Sequence, residues 1–99
     1  MDTLSQEFPL SKGLMLNVLY DTLENLGFYL EKANSERGTL IVLSSAPTSR
    51  RMRIACEGSN NGSQSVIRIF PDIMDDIGCQ MAKVLMDGIL ATVHSNIKN

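Results

Sequence analysis

The sequence predicts a two-layer α+β sandwich, a four-stranded antiparallel meander with two helices packed on one face, in the order α-β-β-β-β-α. Three observations predict it. Apolar residues recur at helical spacing near both ends of the 99-residue chain. Between those segments lie runs with the β-branched, apolar character of strands, most clearly Thr39-Leu40-Ile41-Val42-Leu43-Ser44. Short turn signals separate the runs, and short connections make neighbouring strands antiparallel.

The first ten residues read as a flexible or covering arm that ends at Phe8-Pro9. Ser11 is an N-cap, with Leu10 and Met15 spaced for a hydrophobic staple. Met15, Val18, Leu19, Thr22, Leu23 and Leu26 then form one helical face, and Asn17, Asp21, Glu24 and Asn25 the wet one. Gly27 stands where a glycine ends a helix in the left-handed conformation. Residues 28–33 form the first strand, Asn34 to Gly38 a turn, and residues 39–44 the second strand. After a loop over 45–49, residues 51–57 and 65–70 form the remaining strands, joined through Asn61-Gly62. Pro71 ends the last strand. Asp72 and Asp75 then serve as N-cap and N3 of a helix over 73–95, after which the chain frays. Gly78 and Gly88 weaken that helix by about 1 kcal/mol each, a cost that close packing against a neighbour would offset.

Composition narrows the function. The length fits a single domain, and there is no repeat, linker or low-complexity segment. A net charge of −2 is unfavourable for a nucleic-acid binder. No apolar run reaches the ~20 residues of a membrane span. The N-terminus is polar and acidic, unlike a signal peptide, so a cytoplasmic protein is expected. Cys56 and Cys79 read as buried free thiols. With no CxxC and only one histidine, His94, a zinc site of the usual type lacks ligands, and no metal or cofactor is expected. His94 lies in the last helical turn, Asp72, Asp75 and Asp76 are explained by capping and solvation, and no phosphate-binding glycine motif is present. An enzyme is therefore not expected.

Strand alternation places Phe28, Leu30, Leu40, Val42, Met52, Ile54, Cys56, Ile67 and Ile69 under the helices. The opposite face then carries Tyr29, Ile41, Leu43, Arg51, Arg53, Val66, Arg68 and Phe70, together with Glu31 and Ala55. A one-sided antiparallel sheet normally turns polar residues outwards. Apolar and cationic residues mixed on the helix-free face mark a contact surface instead. Its expected use is self-association as a homodimer, with Arg51, Arg53 or Arg68 meeting Glu31 or Glu57 across a twofold axis.

Two other uses follow from the same residues. One is a chaperone-like module that receives another protein. In size, acidity, αβ character and methionine content the chain is loosely similar to bacterial secretion chaperones. That similarity covers no motif and carries over no residues. The other is a small anionic or amphipathic ligand held by Arg50, Arg51, Arg53 and Arg68. Nucleic acid is disfavoured, because Tyr29 and Phe70 are the only aromatics available for stacking. Three arrangements would remove the contact surface: the N-terminal arm lying across the face, a bulge or slip that inverts the faces in one hairpin, or arginine stems covering the apolar atoms.

Overall fold

A computed structural model of the chain describes residues 4–45 and 49–97. The middle of the expected 45–49 loop and the last two of the residues expected to fray lie outside the described residues. The elements are β1 (Leu4–Phe8), α1 (Lys12–Leu26), β2 (Tyr29–Asn34), β3 (Thr39–Leu43), β4 (Arg51–Gly58), β5 (Ser65–Pro71) and α2 (Asp76–Ile97). The α+β class and the antiparallel meander stand. The sheet, however, has five strands rather than four, in the order β1-β5-β4-β3-β2.

The extra strand comes from the expected arm. β1 pairs antiparallel with β5, from Leu4 opposite Ile69 to Phe8 opposite Ser65. Phe8 is buried in the core, and Leu4 packs against it from the edge. Only two apolar residues in Leu-Ser-Gln-Glu-Phe face inwards, so the period-2 signal was too short to read. β1 and β2 lie at opposite edges of the sheet, and the connection through α1 carries the chain across its whole width. The meander β2-β3-β4-β5 then returns to β1.

Both helix starts are capped, one of them differently from expectation. Ser11 Oγ accepts the Leu14 N–H at 3.4 Å. Gly27 takes φ 72°, and the Phe28 N–H reaches the Leu23 carbonyl at 2.9 Å, closing α1 as a glycine-based C-terminal motif. α2 begins at Asp76 rather than Ile73. Asp75, not Asp72, holds its first turn, with Oδ1 accepting the Gly78 N–H at 2.7 Å. Ile73 and Ile77 are consequently exposed rather than on the buried face of the helix. A Cβ at Gly78 would run into the Ile73 carbonyl, and one at Gly88 would press on Leu26 and Thr22 of α1 at 3.0 and 3.1 Å. Both glycines thus serve close packing. The Thr22 and Thr92 hydroxyls lie 2.8 Å apart and bridge the helices.

The core sits between the helices and one face of the sheet. Met15, Leu19, Leu40, Val42, Met52, Ile54, Cys56, Ile67, Ile69, Leu85 and Ile89 are fully buried, which gives the second hairpin the register that alternation predicts. Cys56 is buried, and burial pushes its thiol pKa up. Cys79 is only half-buried, contrary to expectation. Among the described residues, no helix is long and apolar enough to cross a membrane.

The Asp75 cap makes stability depend on pH. Its carboxyl is held below its ordinary value, first by the Gly78 N–H and also by Arg50, whose Nη2 lies 3.0 Å away. A depressed folded-state pKa adds stability that is fully present above the unfolded carboxylate value of about 3.9. That stability is lost as pH falls through the folded value. Asp75→Asn keeps a capping acceptor and removes the charge. The variant is expected to melt below wild type at pH 7, and the gap to close as the pH is lowered to about 2.5. A gap that stays constant over that range would assign the effect to packing.

Candidate functional site

The pairing registers order the helix-free face into transverse rows. Tyr29, Leu43 and Arg51 form the first row, and Lys32, Ile41, Arg53 and Phe70 the second. Asn34, Thr39, Ala55, Arg68 and Ser5 form the third, and Glu57, Val66 and Glu7 the last. All eight residues expected on this face are there. Leu43 and Arg51 are brought beside Tyr29, and Ile41, Arg53 and Phe70 form one line, while Val66 and Arg68 lie further along β5 towards β1.

Lys32 is the residue that simple alternation misplaces. Counting by twos from Tyr29 would turn Lys32 towards the helices and Ala33 outwards. A β-bulge between Leu30 and Lys32 inserts Glu31 as an extra residue, so Lys32 pairs with Ile41 and Ala33 with Leu40. β2 is an edge strand whose residues from Glu31 to Asn34 are exposed on both faces, so burial left no signal for the bulge in the sequence.

Two of the three arginines on this face are neutralised within the chain. Arg51 donates Nε–H and Nη2–H to the two carboxylate oxygens of Glu31, both at 3.0 Å, and its Nη1 is 3.9 Å from Asp72. Arg68 pairs with Glu57. Glu31 and Glu57, expected to meet arginines across a twofold axis, pair within this chain: Glu31 on β2 reaches Arg51 on β4 across β3, and Glu57 on β4 meets Arg68 on the adjacent β5. Arg53 has no carboxylate. Its guanidinium carbon lies 4.3 Å from the centroid of the Phe70 ring.

These contacts decide between the arrangements that would hide the face. The N-terminal segment does not lie across it; β1 adds to the edge beside β5. No slip inverts the second hairpin. Arginine stems do act, since Ile41, Leu43, Val66 and Phe70 are half-buried among them rather than fully open. Tyr29 stays 64% exposed. At the same end of the sheet, Leu43, Arg50, Arg51, Asp72 and Ile73 line a shallow cleft where the strands meet the approach to α2. Ile73 is the exposed apolar residue of that cleft, and sequence reasoning missed it by placing it inside the helix.

Among the described residues, no group of three or more His, Cys, Asp or Glu side chains is placed to hold a metal ion. His94 lies in the last turn of α2, whereas the cap of that helix adjoins the first row through the Arg50–Asp75 pair.

Comparison with protein families and with curated proteins finds no match. Solved structures do match. An uncharacterised protein from Bacillus thuringiensis superposes with a TM-score of 0.64 at 12% identity, over 99% of this chain and 98% of that one. Ara h 8.0201 superposes with a TM-score of 0.50 at 11% identity, over 99% of both chains. At this identity the likeness establishes the fold alone: a two-helix, five-strand antiparallel α+β domain.

Proposed function

We propose that this chain is an assembly module that binds a second copy of itself through the helix-free face of its sheet. The observation that carries the reading is the state of the face around Leu43 and Val66: the arginines beside them, Arg51 and Arg68, already hold their own carboxylates, while Arg53 stacks on Phe70. Charges that enter an interface unpaired must be desolvated at a cost of several kcal/mol. Here Arg51 brings Glu31 and Arg68 brings Glu57, so the surface is locally neutral where Leu43 and Val66 are to be buried. A protein with a net charge of −2 also repels its own copy only weakly.

An isologous pair fits because one patch serves both protomers. Five strands at about 4.8 Å give a face about 24 Å wide, sufficient for an interface at the low end of the standard size. The expected dimer is reversible, with a dissociation constant in the micromolar range. Tyr29, Leu43 and Ile73 form its most open apolar end.

Light scattering from 5 to 500 µM is expected to show the mass rising from monomer to dimer. Leu43→Glu, which puts a third carboxylate beside Glu31 and Asp72, is expected to hold the protein monomeric throughout while its circular dichroism stays that of wild type. A wild-type monomer at the highest concentration defeats the proposal.

A further inference from the structure

We infer that the depression at the β2–β3 turn end of the helix-free face binds a small amphipathic organic anion, a carboxylate or phosphate group carrying a short apolar portion. Arg50, Arg51 and Arg68 each hold a carboxylate, and the Lys12 ammonium donates to the Glu36 carbonyl at 2.6 Å. Among the described residues, Lys32, Arg37, Arg53 and Lys83 form no ion pair. Lys83 lies on α2. The other three line one depression together with Asn34, Thr39 and Ile41.

Each of the three cations is put there by a separate structural device. The Glu31 bulge turns Lys32 onto this face. Asn34 Oδ1 accepts the Arg37 N–H at 3.1 Å, and Gly38 at φ 74° closes the turn, which fixes the base of Arg37. The Arg53 guanidinium carbon sits 4.3 Å from the centroid of the Phe70 ring, a contact that leaves the N–H groups of a guanidinium available for a two-pronged contact with an oxyanion. Three unneutralised positive charges around one hollow are mutually repulsive, and an anion relieves that repulsion. Ile41 on the floor and the Phe70 ring behind Arg53 supply the apolar contact that a bare inorganic ion would not use. The site lies one row along β2, β3 and β4 from Tyr29, Leu43 and Arg51, on the face that self-association would cover, so the anion is expected to bind the monomer.

Phenylphosphate and benzoate serve as probes, with inorganic phosphate as the head group alone. Amide NMR titrations on wild type and on Leu43→Glu separate ligand binding from any change in assembly. Saturable shifts confined to residues 32–41 and 53 are expected at millimolar concentration, tighter for phenylphosphate than for inorganic phosphate. Arg53→Ala is expected to weaken phenylphosphate about tenfold and Lys32→Gln about threefold, while Arg68→Ala, outside the depression, leaves it unchanged. No saturable shift up to 20 mM, shifts spread equally over Arg51, Arg68 and Lys83, or unchanged affinity in both Arg53→Ala and Lys32→Gln would each overturn the inference.

Discussion

Gly38→Ala is expected to lower the unfolding free energy by about 3 kcal/mol, a large share of the 5–15 kcal/mol typical of a small domain. Two costs combine. Gly38 sits at φ 74°, and a non-glycine residue in that region loses about 1–2 kcal/mol. The added Cβ would also overlap the Cys56 carbonyl and crowd the Lys12 side chain that lies over the turn. Forcing backbone apart in a packed region adds about 1–3 kcal/mol. It would also stretch the bond from the Cys56 N–H to the Gly38 carbonyl, now 2.6 Å.

Gly27 is the internal control. Its φ of 72° is almost the same, but nothing lies within 4 Å of its would-be Cβ. Gly27→Ala is therefore expected to cost only the conformational part, about 1 kcal/mol. Urea unfolding of the two variants separates steric overlap from backbone strain. Equal losses would mean that the β2–β3 turn moves away from β4 freely. In that case the turn would not hold Arg37 in place either.

Much of the fold was legible where one residue type has one physical use. Ser11 and Gly27 bound α1 because a hydroxyl at one end and a left-handed glycine at the other satisfy the helix's loose polar groups. The inward and outward faces of β4 and β5 were legible because five apolar residues alternate with a set that includes three arginines; their register was not, and the structure supplies it. What escaped was decided over short distances by contacts between distant segments. β1 offers only Leu4 and Phe8 to the core, and its strand character comes from the open edge of β5. Between Asp72 and Asp75, two carboxylates three residues apart both suit a cap, and Arg51 beside Asp72 and Arg50 beside Asp75 are tertiary facts.

The helix-free face was legible as a set of residues but not as an electrostatic surface. Composition counts arginines without saying which of them already hold a carboxylate. The pairing of Arg51 and Arg68 turns most of a cationic face neutral, and the Glu31 bulge concentrates the remaining charge at one end with Lys32. One hairpin thereby offers a neutral apolar area suited to a second protein surface and a cationic hollow suited to an anion.

Adjacent residues of β4 allow the fold and the face to be tested separately. Ile54 is fully buried, paired with Leu40 on one side and Ile69 on the other, both fully buried themselves. Ile54→Ala removes side-chain volume from the middle of the central strand, where neighbours tied into the sheet cannot collapse to fill it. The expected loss is about 2–5 kcal/mol. Arg53, one residue away, points to the other face and makes no ion pair. Arg53→Ala removes a stacking contact worth about 0.5–1 kcal/mol at an exposed site. The urea midpoint is thus expected to fall sharply for Ile54→Ala and little for Arg53→Ala, with the slope of the transition unchanged in both. Anion binding is expected to respond in the opposite sense, weakened by Arg53→Ala and retained by whatever fraction of Ile54→Ala remains folded. A comparable loss of stability in both variants would show that the helix-free face is held for structure, leaving no residue on it free to be spent on a partner.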